Sequence, residues 1–110
     1  MNVREFAEKT GMKVLTGDKG LDKELAGAYV CDLLSWVMSH ANKNNAWITV
    51  HTHLNVVAVA LLTEVACVII PEGIHVEEPT VNKAMEEGIA ILSSDKSAYE
   101  ICCLAHEFKV

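Results

Sequence analysis

Proline and glycine are scarce in this chain of 110 residues, which contains two prolines and six glycines. Collagen-like repeats and flexible linkers need many more of these residues, so the sequence excludes both. Aromatic residues make up only 5% of the chain, but 51% of it is apolar and 22% is charged. These proportions are ordinary for a globular protein and exclude intrinsic disorder. The length predicts one domain over residues 1–110.

Basic residues and long apolar runs are also few. Nine Lys and Arg stand against fifteen Asp and Glu, which gives a net charge of −6. We expect neither nucleic acid nor a membrane as a partner, because both attract a basic surface. The whole net negative charge lies in residues 44–110. We interpret this region as having a solvated acidic surface rather than a binding site for a basic partner. The longest apolar run, Val56–Leu62, is far shorter than the roughly 20 residues of a membrane span.

None of the four cysteines belongs to a C-x-x-C pair. The adjacent Cys102 and Cys103 have poor geometry for a structural disulfide, and we expect the four cysteines to act mostly as small core residues. Residues Met1–Thr10 carry four charges and no apolar run, so we expect no signal peptide. The cysteine pattern and the absence of a signal peptide predict a reduced, cytoplasmic protein.

Caps, turns and apolar periodicity predict the elements of the first half. They are a helix over Val3–Thr10 between Asn2 and Gly11, a strand over Lys13–Thr16 and a turn over Gly17–Gly20. The segment Gly27–Cys31 fits either a strand or the start of a helix. A helix follows over Asp32–Ala41, with Leu33, Leu34, Val37 and Ala41 on one face.

The second half alternates strand and helix three times. Its predicted elements are strand Ala46–Val50, helix Leu54–Glu64, strand Cys67–Ile70, helix Pro79–Glu87 before Gly88, strand Ile89–Leu92, and a last helix capped by Ser94 or Asp95 and ending near Phe108. These strands are continuous apolar runs, which is typical of strands buried on both faces. The pattern predicts an α/β fold, a single three-layer α/β/α domain with a mostly parallel central sheet.

The predicted helix Leu54–Glu64 is apolar on every side, since Val56–Leu62 contains no polar residue. A helix of this kind is expected to be buried all round. In a chain of 110 residues it either lies centrally against the sheet or turns its outer face toward a second subunit.

Two motifs resemble those of the DRTGG domain family. Asp32–Met38 (DLLSWVM) is similar to the family's D-L-L-S-x-V-M helix start, and Trp47–Ala60 is similar to its W-I-T-x-x-T-H-x-N-x-x-A-V-A segment. Ala84–Leu92 fits the family's helix–Gly–strand pattern. The stretch that corresponds to the namesake motif, Asp22–Ala28, keeps the aspartate and one glycine, and Trp36 stands at a position that is usually polar.

The resemblance implies a regulatory domain of the type found in HPr kinase/phosphorylase and beside CBS domains in regulated pyrophosphatases. Such domains sense a nucleotide or another small phosphate-bearing ligand, form dimers, and are not themselves catalytic. We expect no cofactor for this chain. The apolar helix and the exposed position expected for Trp36 leave apolar surface that one small subunit can hardly cover, so we expect a homodimer whose interface includes Trp36, Val57 and Leu61.

A ligand edge follows from the predicted topology, since ligands of open α/β sheets bind beyond the carboxyl ends of the strands. If the strands are parallel, three junctions share that edge, and helix N-termini there suit a phosphate. The predicted ligand-binding residues are Thr16, Gly17, His53, Asn55 and Ser94. The alternative for Asn55 and Ser94 is that they only cap helices.

The sequence supports a catalytic or a metal-binding site less well than a ligand-binding edge. The turn Gly17–Gly20 lacks the spacing and the Ser or Thr of a kinase phosphate loop. His51 and His53, or Cys102, Cys103 and His106, could contribute metal ligands, but neither set has standard zinc spacing, and we predict no metal site. A Cys–His dyad on the last helix lacks a recognisable oxyanion hole. A protein-interaction module, or a small phosphate-ester or acyl-phosphate enzyme, remains an alternative function.

Overall fold

The computed structural model describes all residues from 1 to 110 and contains five helices and five strands. The helices are α1 (Val3–Thr10), α2 (Leu34–His40), α3 (Asn55–Thr63), α4 (Glu78–Glu87) and α5 (Ala98–Glu107). The strands are β1 (Lys13–Val14), β2 (Ala28–Val30), β3 (Ala46–Ile48), β4 (Cys67–Ile70) and β5 (Ala90–Ser93). The ambiguous segment Gly27–Cys31 is thus a strand.

The five strands form one sheet in the order β1-β5-β4-β3-β2. Strands β2 to β5 are parallel, while β1 runs antiparallel to β5, with Lys13 opposite Ser93. The predicted α/β fold with a mostly parallel sheet is therefore confirmed. The sheet begins and ends with the short edge strands β1 and β2, and neither has a partner strand on its outer side.

Helices cover both faces of the sheet and create two apolar layers. Helices α1 and α5 enclose one layer around Phe6, Ile48, Ile69 and Ile101. Helices α2, α3 and α4 enclose the other, where the indole of Trp47 is fully buried. Strand β3 serves both layers, because successive side chains of a strand point to opposite faces. This burial on both faces explains the continuous apolar runs of the central strands.

Local capping signals are confirmed at α1 and α4. The Asn2 side chain accepts a hydrogen bond from the Glu5 N–H at 2.9 Å, and Gly11 ends the helix in the left-handed conformation. Pro79 lies in the first turn of α4 and Gly88 follows its last residue, also in the left-handed conformation. Capping residues act over a few neighbouring residues, so their effect can be predicted from the sequence alone.

The predicted cap of the last helix is wrong. Helix α5 begins after Ser97, whose hydroxyl accepts a hydrogen bond from the Glu100 N–H at 3.2 Å, while the Glu100 carboxylate accepts from the Ser97 N–H at 3.0 Å. This reciprocal capping box satisfies two backbone donors at once, which neither Ser94 nor Asp95 can do. Its hydrogen bonds from Ser97 hold the pKa of the Glu100 carboxyl below its usual range.

The predicted apolar face of α2 is partly wrong. Val37 is fully buried, and Leu34 and Ala41 pack against the same layer, but Leu33 is 63% exposed. Leu33 precedes the first helical turn and has an extended backbone, so it does not follow the helical period.

Helix α3 is not buried on every side. It packs between α2 and α4, with Val57 and three neighbouring side chains buried against the sheet, while Leu61 and Leu62 remain 41% and 67% exposed. Val57 is therefore wrong as an interface residue, because its side chain is covered within one subunit and offers no surface to another. No helix combines the length and apolar character that crossing a membrane requires.

Candidate functional site

The carboxyl ends of β2 to β5 bring four loops to one edge of the sheet. The antiparallel strand β1 contributes its first residue, Lys13, to this same edge, since Lys13 pairs with Ser93 at the end of β5. Ligands of open α/β sheets bind in such a position. We call the surface formed by these loops and Lys13 the carboxyl edge.

Thr16 and Gly17 do not reach the carboxyl edge. Because β1 is antiparallel, it ends at the amino end of β5, where the Thr16 hydroxyl accepts a hydrogen bond from the Ile91 N–H at 3.0 Å. Thr16 is buried there, and the turn that follows packs so closely that a Cβ at Gly20 would lie 2.5 Å from the Gly88 carbonyl oxygen. Both predicted residues therefore lie at the opposite end of the sheet from Ser94.

The segment that replaces the family's namesake motif also lies at the amino end of the sheet. The Leu25 N–H donates to the Met1 carbonyl at 3.0 Å, and the Lys23 carbonyl accepts from the Val3 N–H at 3.0 Å. The buried Asn45 side chain donates to the Ala26 carbonyl at 2.7 Å. This segment is thus a backbone connection that fixes the start of α1.

His53 and Asn55 lie at the carboxyl edge, beyond the end of β3. The His53 Nδ1 accepts a hydrogen bond from the Asn55 backbone N–H at 3.2 Å. The imidazole thus partners one of the first amides of α3, so the cap expected of the Asn55 side chain is supplied by His53. Both side chains are exposed.

Ser94 follows β5 at the same edge and is almost fully buried. Its N–H donates to the Ile70 carbonyl at 3.0 Å and its own carbonyl accepts from the Gly73 N–H at 2.8 Å. The hydroxyl accepts from the Lys96 N–H at 3.1 Å. Ser94 therefore joins the loops after β4 and β5 and shapes this end of the edge.

The two motifs that resemble the DRTGG family meet in a hydrogen-bonded cluster. The Asp32 carboxylate accepts from the Thr49 hydroxyl at 2.9 Å and from the Val50 N–H at 3.0 Å. The Trp47 indole N–H donates to the Cys31 carbonyl at 3.0 Å. These contacts hold the ends of β2 and β3 together, so the motif residues support the edge from within.

Two grooves open at the carboxyl edge, and both are lined by Lys13 and Ser93. One has a volume of about 360 Å³, and no hydrophobic residue lines it. Its walls are Thr10, Gly11, Lys13, Ser93, Ser94, Asp95 and Lys96. We call it the polar groove; it offers two ammonium groups, one carboxylate and several hydroxyls to a ligand.

The second groove has a volume of about 580 Å³ and is half apolar. Its walls are Val14, Leu15, Ile74, Val76 and Val81, with Lys13, Gly73, His75, Glu78 and Ser93. We call it the apolar groove. Sequence reasoning missed both grooves, because only the antiparallel direction of β1 brings Lys13 to this edge.

The four cysteines are free thiols. Burial raises the pKa of the Cys67 thiol to about 12. Burial and the neighbouring Cys103 raise the pKa of the Cys102 thiol. Reactive cysteines have lowered pKa values, so the raised pKa does not favour Cys102 as the nucleophile of a Cys–His dyad. The structure contains no group of three or more side chains suited to a metal ion.

Comparison with known proteins finds similarity in fold rather than in sequence. No protein-family model and no curated protein matches the chain. The fold is similar to a solved structure of the CBS and DRTGG domains from the regulatory region of Clostridium perfringens pyrophosphatase, complexed with its activator, diadenosine tetraphosphate. The TM-score is 0.74 at 8% sequence identity.

That likeness covers 94% of this chain and 45% of the other, so the chain spans less than half of that structure's length. At this level of identity the likeness establishes the fold alone. The DRTGG-like fold expected from the two motifs is therefore supported, while membership of the family stays a prediction.

Thr49→Val should lower the free energy of unfolding by about 1–3 kcal/mol, because it leaves the Asp32 carboxylate and the His51 N–H without the Thr49 hydroxyl. Thr52→Val is the matched control, because the Thr52 hydroxyl forms no hydrogen bond within the protein. The control should change stability by less than about 0.5 kcal/mol. Urea denaturation measures both values, and an equal loss in the two variants would contradict the role assigned to Thr49.

Proposed function

We propose that this chain is a regulatory domain that binds a phosphate-bearing small molecule of the nucleotide class at its carboxyl edge and does not itself catalyse a reaction. The observation that carries the proposal is the pair of grooves at this edge, one of them polar and flanked by two lysines. The similar fold of a regulatory region crystallised with a nucleotide activator supports it.

The contacts at this edge fit recognition better than chemistry. The Ser94 hydroxyl already accepts a backbone hydrogen bond, and the His53 Nδ1 accepts the Asn55 N–H. His53, Asn55 and Ser94 therefore act in this proposal mainly as supports for the loops. A cytoplasmic location belongs to the same proposal, since reducing compartments keep thiols free.

A thermal-shift series tests this function. ATP and diadenosine tetraphosphate are compared with adenosine and with sodium sulfate at matched ionic strength. A ligand at 100 times its Kd adds about 2.7 kcal/mol of stability, which corresponds to a rise in Tm of roughly 10 °C for a domain of this size. We expect such a rise with at least one nucleotide and not with sulfate. No rise with any nucleotide would contradict the proposal and favour a protein-interaction module.

Dimerisation is the second part of the proposal, and it rests on the uneven distribution of exposed apolar side chains. Ten large apolar side chains are exposed, and eight of them lie in two segments, residues 30–38 and 50–62. These segments belong to β2, α2, α3 and their flanking residues, which occupy one side of the sheet. Isolated exposed apolar residues are common, but such a concentration is typical of an interaction surface.

The edge strand β2 and the side chain of Trp36 lie within this region. Strand β2 has the sequence Ala-Tyr-Val, with no lysine, proline or bulge to protect its free side. Trp36 is 51% exposed and stacks on the His40 imidazole at a ring separation of 3.8 Å. A large, pre-oriented aromatic ring on α2 and an unprotected edge strand favour a two-fold contact with a second copy, in which the exposed Leu61 and Leu62 also take part.

Trp36→Asp should convert a dimer into a monomer, because it removes the aromatic contact and places a charge in the interface. Tyr99→Asp is the control, since Tyr99 is 78% exposed on α5, at the other face of the sheet. Sedimentation velocity at tens of micromolar measures the oligomeric state. A monomeric parent chain, or a Trp36→Asp variant that remains a dimer, would show this part of the proposal to be wrong.

A further inference from the structure

We propose that the polar groove and the apolar groove form one divided site, in which the polar groove takes the phosphate groups of a ligand and the apolar groove takes its ring system. This inference rests on the proposed function and adds the place and the orientation of the ligand. It assigns direct contacts to Lys13 and Lys96, which the sequence motifs do not include.

The distribution of cations supports the phosphate half. The chain has nine Lys and Arg residues, and five of them are engaged in ion pairs, a backbone hydrogen bond or a contact with an aromatic ring. The four without such partners are Lys13, Lys19, Lys96 and Lys109. Two of these four line the same groove. In a chain of net charge −6, two lysines without an ion-pair partner at one groove attract an anion, and the Asp95 carboxylate in the groove and the Glu100 carboxylate near Lys96 oppose part of that attraction.

The apolar groove supports the ring half. Its apolar walls come from three different elements, namely Leu15 beyond β1, Ile74 and Val76 in the loop after β4, and Val81 on α4. Its volume of about 580 Å³ lies within the range of roughly 300–1,000 Å³ that is usual for small-molecule sites. A flat heteroaromatic ring would remove these side chains from water, whereas a bare polyphosphate would gain nothing from them.

The two grooves meet at the pair of residues Lys13 and Ser93, which are opposite each other in the sheet. In the proposed site one ligand crosses this pair, with its phosphate groups in one groove and its ring system in the other. The carboxylates also matter, since Asp95 lies in the polar groove and Glu78 in the apolar groove. They weaken the attraction for a bare anion and offer acceptors for hydroxyl or amino groups. The site thus favours a nucleotide over either of its parts.

Isothermal titration calorimetry with three probes tests the division of the site. We expect ATP to bind at least tenfold more tightly than either tripolyphosphate or adenosine. Binding of tripolyphosphate as tight as that of ATP would contradict the assignment of the apolar groove.

Charge reversal tests the placement. Lys96→Glu and Lys13→Glu should each weaken ATP binding at least tenfold, and both side chains are exposed, so both variants should fold. Lys19→Glu is the matched control, since Lys19 is also exposed and unpaired but belongs to the turn at the amino end of the sheet. Its ATP affinity should stay within twofold of that of the parent chain. A Lys13→Gln variant repeats the test with a smaller change in charge.

The outcomes separate this inference from the proposed function. If ATP binds the parent chain and both lysine variants alike, the ligand does not contact these lysines; the divided site is then wrong, while nucleotide binding by the chain stands. If neither ATP nor tripolyphosphate binds the parent chain, the proposed function fails and the divided site fails with it. A loss as large in Lys19→Glu as in Lys96→Glu would indicate a general charge effect and would also overturn the placement.

Discussion

Strand β1 runs against its neighbour β5 and pairs Lys13 with Ser93, and the arrangement of both ends of the sheet depends on this pairing. It carries Lys13 to the carboxyl ends of the parallel strands, where that residue lines both grooves. It also sends the turn after β1 to the amino end, where glycine at position 20 allows close contact with the Gly88 carbonyl. A parallel β1 would exchange these two ends and leave the carboxyl edge without Lys13.

The supporting structure explains why the carboxyl edge holds its shape. Two buried apolar layers fix the strands, and the ends of β2 and β3 are joined by the hydrogen bonds of Asp32 with Thr49 and of Trp47 with Cys31. Ser94 joins the next two loops through backbone contacts on both sides. The residues of the two sequence motifs, together with Ser94, thus hold the loops of the carboxyl edge in place. The side chains that we propose to contact a ligand are those of Lys13 and Lys96, which belong to neither motif.

Local sequence signals predicted most of the helices and strands. The direction of β1 could not be predicted, because it depends on contacts between residues that are distant in the sequence. The strand Cys67–Ile70 and the helix that ends before Gly88 follow from apolar runs and caps, which act over a few residues. The direction of β1 does not follow from its sequence, since Lys13 and Val14 fit either direction and only the path of the chain decides. That one direction separated Thr16 and Gly17 from Ser94. The burial of Val57 was missed for a similar reason, because an entirely apolar helix gives no periodic signal of which side faces the sheet.

The central claim is that the carboxyl edge is the ligand-binding end of the sheet, and amide chemical-shift mapping tests it most directly. The chain labelled with ¹⁵N would be titrated with ATP and followed by two-dimensional NMR. The account predicts that the largest shifts belong to amides around the two grooves, such as those of Lys13, Gly73 and Asp95, while the amide of Gly88 at the amino end stays in place. Shifts centred on the turn Gly17–Gly20 and on Gly88 would contradict it.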